Sequence, residues 1–421
     1  MPRLPPELYE AVIDQLDGDS DALGRCSLVS RFFARKCQQL LFKSITLGRP
    51  FKQFEGDIVS RNWPSQKLHQ ILASSPHLSH LIRQLEISDA TAMNFYREEL
   101  SWIRRDSDVA RVLPLLQNLE SLVIAGNHLG SRMNFRAWKR ELKFAVLLKA
   151  STVTSISLAY VRNVPWMIFK SVPALKTLHL YQISFVPNDA TILPIDRGLD
   201  ANSTQARLET LHIKTTSREE WRSLYLWLQI DDCSFCFDHI VDLSLDIDFV
   251  AQEPPVNISQ ELQGISWLIR RCSSSLQNLD LFFPEEVASS YFSSQKLFEL
   301  DCMPSLEQLS LNGCAWSDRA LTGSQNTLRW VVSNLSALPK CLRLSRLTLL
   351  LTIDDFPSAP DVAFEKAGWG DLVKVVEGLA QKLDICIRIS VVCRHGSYVD
   401  DFLKERLSRL ISLKVLFVDR V

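Results

Sequence analysis

Beyond residue 47 this chain keeps returning to one short pattern, apolar-x-x-apolar-x-apolar. It reads Ile82-x-x-Leu85-x-Ile87, Leu119-x-x-Leu122-x-Ile124, Val153-x-x-Ile156-x-Leu158, Leu175-x-x-Leu178-x-Leu180 and Leu208-x-x-Leu211-x-Ile213. It continues as Ile240-x-x-Leu243-x-Leu245, Leu276-x-x-Leu279-x-Leu281, Leu306-x-x-Leu309-x-Leu311, Leu344-x-x-Leu347-x-Leu349 and Leu413-x-x-Leu416-x-Val418, with a degraded copy around Ile385, Ile387 and Ile389. One such hexapeptide means little. A series spaced mostly by about thirty to forty residues has the period of stacked, repeated units. The last two apolar positions alternate with period two, so each copy predicts a short strand with one buried face. The middle leucines Leu178, Leu211, Leu243, Leu279 and Leu309 are then expected in one buried ladder.

Between the copies lie stripes of helical period. Trp221, Leu224, Tyr225 and Leu228 form one, Leu328, Val331, Val332 and Leu335 a second, and Leu372, Val375, Val376, Leu379 and Leu383 a third. Strand, loop and helix therefore alternate, and no unit can cover its own apolar face without a neighbour. The expected fold class is α/β. This repetition resembles leucine-rich repeats and implies an irregular solenoid over residues 48–421, with a parallel concave sheet and outer helices. Asparagine after the strand, usual in regular repeats, occurs only at Asn127 and Asn312, and the stretches 187–207 and 354–371 are expected to be loops. An ordinary α/β domain with leucine-rich strands is the alternative.

Residues 1–47 follow a different rule. Pro5 and Pro6 suit the first turn of a helix, with Glu7 at the positive end of its dipole. Leu8, Val12 and Leu16 then repeat at helical spacing. Asp17-Gly18-Asp19 breaks the pattern, and Ser20 or Asp21 is expected to cap a second helix bearing Leu23 and Cys26. Ser30 is expected to cap a third, with Phe33, Cys37, Leu40 and Leu41 along one side. So small a unit cannot bury all these side chains by itself, which leaves apolar surface for the next domain or for a partner.

The order Leu4-Pro5-Pro6-Glu7-Leu8, Ile13, Leu16, Asp21-Ala22-Leu23, Cys26-Ser27-Leu28-Val29-Ser30-Arg31-Phe32 and Leu41-Phe42 resembles the F-box. Asp17-Gly18 stands where many members have a proline before the acidic residue, and Phe32 and Phe42 stand where tryptophan is common. The resemblance implies three helices that dock on the SKP-family adaptor of a cullin–RING ubiquitin ligase. Leu4, Pro5, Glu7, Leu8, Ile13, Leu16, Leu23, Val29 and Phe32 would form the adaptor face. A simple helical cap on the following domain is the alternative.

Composition bears on partners and compartment. A formal net charge of −1 gives no sign of a nucleic-acid binder. No apolar run reaches the length of a membrane span, and the N-terminus is unlike a signal peptide. Ten cysteines in 421 residues do not make a disulfide scaffold, so a reducing cytosol or nucleus is expected.

The sequence carries no phosphate loop, dinucleotide fingerprint, His-Glu-x-x-His or Gly-x-Ser-x-Gly motif. No catalytic residue and no cofactor is expected. Cys233, Cys236 and His239 have spacings that could supply three zinc ligands, but a fourth is missing nearby and packing is the simpler role. A more useful set is the outward row of the strands. His179 and His212 occupy equivalent outward positions, while Asp242, Asp246 and Asp248 alternate with the buried Leu243, Leu245 and Ile247. Asp280 and Phe282 extend the same face. This locally acidic row is expected to hold a basic segment of a protein target. The combined expectation is a non-catalytic substrate receptor of an SKP–cullin–F-box ligase. A structural interaction scaffold is the rival.

Overall fold

A computed structural model describes residues 5–48, 64–89, 102–126, 132–169, 172–186, 205–229, 235–247, 259–283, 303–316, 327–336, 338, 343–353, 368–382, 385–393, 405 and 416–420. The chain is α/β and built on parallel strands. By its contacts it divides into two compact units, Met1–Ala206 with Asp232–Ser234, and Arg207–Asp231 with Phe235–Val421.

The first unit opens with α1 (Pro6–Asp14), α2 (Ser20–Ser27) and α3 (Arg31–Lys43). Pro6 occupies the first turn of α1, where its missing N–H costs nothing. Gly18 turns the chain at φ +94°, a conformation that favours glycine. Asp19, rather than Ser20 or Asp21, caps α2 by accepting from the Ala22 N–H at 2.9 Å. Ser30 caps α3 through the Phe33 N–H at 3.2 Å, as its spacing predicts. Ile13, Leu23 and Cys37 form the core, with Leu16, Cys26, Phe33, Leu40 and Leu41 packed around it. Lys36 on α3 pairs with Asp14 on α1 at 2.8 Å.

α3 runs directly into β1 (Ser44–Leu47), which pairs in parallel with β2 (Gln84–Ser88). The division expected after residue 47 therefore falls at a junction: the last four residues of the N-terminal segment already form a strand of the sheet. In this unit β1, β2, β3 (Ser121–Ala125), β4 (Ser155–Ala159) and β5 (Thr177–Tyr181) lie side by side in chain order. Leu85, Leu122, Ile156 and Leu178 stand in one register line, and Ile87, Ile124, Leu158 and Leu180 in the next. All eight are buried.

The helices before these strands are α4 (Pro64–Ser74), the short α5 (Trp102–Arg105), α6 (Val109–Leu115) and α7 (Arg140–Ala150). A buried clasp joins two of them. Ser65 on α4 donates to Asp106, whose other oxygen accepts from the Asp108 N–H at 2.6 Å and the Val109 N–H at 3.3 Å at the start of α6. At the strand exits Tyr160 and Gln182 adopt φ +56° and +51°. A Cβ on Gly126, the matching position after β3, would meet the Tyr160 carbonyl oxygen at 2.3 Å, so only glycine fits there.

The second unit repeats the design with β6 (Thr210–Thr215), α8 (Arg218–Leu228), β7 (Asp242–Ile247), α9 (Ser259–Cys272), β8 (Asn278–Phe283), β9 (Gln308–Trp316), α10 (Thr327–Leu335), β10 (Arg346–Ile353), α11 (Trp369–Lys382), β11 (Cys386–Cys393) and β12 (Leu416–Arg420). Its strands are again parallel and in chain order. Leu211, Leu243, Leu279, Leu309, Leu347 and Ile387 align, as do Ile213, Leu245, Leu281, Leu311, Leu349 and Ile389. The first position of the motif is buried too, at Leu208, Ile240, Leu276, Leu306 and Leu344. One copy departs from expectation. Leu416 pairs with Ile389 rather than with Ile387, a slip of two residues.

A backbone device recurs between neighbouring strands. The carbonyl two residues before a strand's first buried position accepts two successive N–H groups from the next strand's start. Glu120 takes those of Thr154 and Ser155, Glu209 those of Val241 and Asp242, and Glu307 those of Ser345 and Arg346. At α8 the sequence supplies a capping box: Ser217 accepts from the Glu220 N–H at 3.2 Å, while the buried Glu220 carboxylate accepts from the Thr215 hydroxyl at 2.9 Å and the Thr216 N–H at 3.2 Å. Among the described residues, no helix is long and apolar enough to cross a membrane.

Candidate protein-interaction surfaces

The N-terminal helices divide their apolar residues between two roles. Ile13 and Leu23, expected on the adaptor face, are buried instead. They pack with Cys37 and hold the three helices together, so they support a surface without presenting one. Leu16 is half-buried against the same core. Burial raises the pKa of the Cys37 thiol and keeps it a small neutral hydrophobe, with nearby Cys26 adding to the effect.

Five other apolar residues face outward. Leu8, Val12, Leu28, Val29 and Phe32 are 42–86% exposed. Leu8 and Val12 lie one turn apart on α1, so they share one side of it. Tyr9 bridges that side to α3 through edge-on ring contacts, at 6.5 Å to Phe32 and 5.6 Å to Phe33. Glu7 and Pro5 are also exposed beside this patch. Leu4 lies outside the described residues. Leu28, at 86% the most exposed of the set, and Val12 were not among the residues expected on the adaptor face. The signal for Val12 was available in its spacing from Leu8.

The outward strand row is less acidic in effect than its composition implies. In the second unit, Lys214, Asp246, Phe282 and Asn312 stand in register, next to the line of His212, Ser244, Asp280 and Ser310. Lys214 forms an ion pair with Asp246. His212 Nε2 lies 3.6 Å from Asp242 Oδ2. Asp280 accepts from Asn312 Nδ2 at 2.7 Å and from Ser244 Oγ at 3.4 Å. Asp246 and Asp280 thus have bonded partners within the sheet, Asp242 lies near His212, and Asp248 lies outside the described residues. Lys214 was visible in the sequence as an outward neighbour; its pairing with Asp246 needed the parallel register. Phe282 is half-buried in the same row. His179 is half-buried on β5 of the first unit, so the two histidines belong to different units.

Of the cysteine cluster, Cys233 lies outside the described residues, while Cys236 is a half-buried free thiol. Among the described residues, no group of three His, Cys, Asp or Glu side chains is placed to hold a metal ion. No family model matches the chain, and neither does any curated protein.

Proposed function

We propose that this chain is a non-catalytic substrate receptor of an SKP–cullin–F-box ubiquitin ligase, an F-box followed by a leucine-rich-repeat-like solenoid. The observation that carries the reading is the apolar face of the N-terminal helices. Their core is already filled by Ile13, Leu23 and Cys37, yet Leu8, Val12, Leu28, Val29 and Phe32 remain in water. Large exposed apolar side chains gathered on so small a unit mark an interaction site. It falls on the segment whose residue order resembles the adaptor-binding motif.

In this reading the adaptor covers α1 and the α2–α3 connection, and the outward row of the repeat strands holds a protein target. The row offers His212, Asp242, Asp280 and Phe282, with Asp246 already neutralised by Lys214. Ubiquitin transfer belongs to other subunits. This chain supplies proximity, which turns a bimolecular encounter into a local one.

The test is capture of a purified SKP-family adaptor by the full chain. Leu8→Glu with Phe32→Glu should abolish capture while the far-ultraviolet circular dichroism is unchanged. Undiminished capture by that variant would overturn the reading. A structural scaffold whose first helices only cap the sheet predicts no capture by either protein.

A further inference from the structure

We propose that the outer faces of α4, α6 and α7 form a second docking surface, for a protein segment that pairs acidic with apolar residues. The surface is separate from the N-terminal patch and does not depend on an F-box role. Of the exposed large apolar residues described, all but Leu226 fall either in the N-terminal patch or on these three helices. Such concentration distinguishes a patch from the single exposed leucines of any surface.

The helices repeat one arrangement. On α4, Lys67 is exposed and Ile71 follows one turn later. On α6 the pair is Arg111 and Leu115. On α7, Arg140 is followed by Phe144 and then Leu148 along the same stripe. Residues four apart share a helix face, and α6 packs against both α4 and α7. The four apolar side chains are 39–53% exposed. Each basic residue stands in the first turn of its helix, where the macrodipole disfavours a cation, so helix stability does not explain the placement. Among the described residues of these three helices and their caps, the acidic groups are Glu141, exposed beside Arg140, and Asp108, which lies 3.3 Å from Arg111. Basic side chains outnumber them.

α7 shows that this exposure is imposed by the packing. Its inward face is filled by Leu142, Ala145, Val146 and Ala150, and it also buries two lysines. Lys149 donates to the carbonyl oxygen of Leu116 at the end of α6, and Lys143 to that of Arg136 at 2.8 Å. Rolling the helix to hide Phe144 and Leu148 would break both bonds and expose the core. A partner is the remaining way to remove those side chains from water. The basic residues at one end of each stripe then call for acidic residues at the matching end of the partner, in the spacing of an amphipathic helix.

The experiment is selection from a random displayed peptide library on the full chain, counter-selected against Phe144→Ser/Leu148→Ser and against Arg111→Glu/Arg140→Glu. The expected result is enrichment of peptides with acidic and apolar residues four positions apart, bound at least tenfold more weakly by both variants and as well as before by Leu8→Glu/Phe32→Glu. No enrichment, or enriched peptides that bind both variants as well as the original, would overturn the proposal. Loss of concentration-dependent dimerisation in the Phe144→Ser/Leu148→Ser variant would assign the face to a second copy instead. Variant-sensitive sedimentation with phosphatidylserine vesicles, without peptide enrichment, would assign it to a membrane. An unchanged urea midpoint in the variants separates all of these from misfolding.

Discussion

The N-terminal helices and the strands that follow use the same kinds of apolar residue under different geometric rules. In a strand, alternation permits two faces only, so burial of Leu243 settles the outward direction of Asp242 and Ser244. In a helix the apolar stripe can be wider than the face a small core covers. α1 illustrates this: Ile13 enters the core, while Leu8 and Val12, equally apolar, remain outside. The strand ladder spends its apolar residues on itself. The N-terminal helices leave Leu8, Val12, Leu28, Val29 and Phe32 exposed.

Substitution at matched leucines tests the contrast most strongly. Leu243→Ala, in the middle of a register line, should cost about 2–5 kcal/mol in equilibrium urea unfolding. Leu8→Ala should stay within about 0.5 kcal/mol, because Leu8 is half exposed. Comparable losses at both positions would erase the distinction. Next in size is Asp106→Ala. It leaves the buried Ser65 hydroxyl and the N–H groups of Asp108 and Val109 without their acceptor, for about 1–3 kcal/mol. Removing a helix cap is smaller again: Ser217→Ala should cost about 1 kcal/mol, with the loss centred on α8 in hydrogen exchange.

A titration gives a finer contrast between the two regions. Burial pushes the Cys272 thiol from 9.0 up to about 12, with Asp238 adding to the rise. The folded state therefore holds this proton after the unfolded chain has released it. The stabilisation is complete below 9.0 and is lost as pH climbs toward about 12. Alkaline unfolding of Cys272→Ala should show a shallower decline than that of the original protein. Native Cys272 should resist thiol reagents that label the half-buried Cys26 and Cys236.

The parallel ladder was legible in the sequence because each strand repeats the same three buried positions. Ile82, Leu119 and Leu276 each open a copy of the motif at its first buried position. The slip at Leu416 was not legible, since a shift of two residues leaves the alternation unchanged. In the first helices Ser30 was recognisable as a cap, but Asp19 outcompeted Ser20 and Asp21 because its carboxylate reaches the Ala22 N–H. The N-terminal surface was half visible. Sequence order drew attention to Leu8, Val29 and Phe32, yet could not say that Ile13 and Leu23 lie in the core. The outward acidic row was legible only in part. Alternation places Asp246 outward, but its neutralisation depends on Lys214, thirty-two residues earlier and adjacent only through strand pairing.

The proposal stands or falls on whether the exposed apolar face of the N-terminal helices docks on an SKP-family adaptor. Isothermal titration of purified adaptor into the full chain addresses it directly. The expected result is a saturable one-to-one complex with a negative heat-capacity change, as apolar burial requires. Leu8→Glu with Phe32→Glu should remove the signal, while Phe144→Ser with Leu148→Ser should leave it intact. Absence of binding by the original chain, or equal binding by the Leu8→Glu/Phe32→Glu protein, would contradict it.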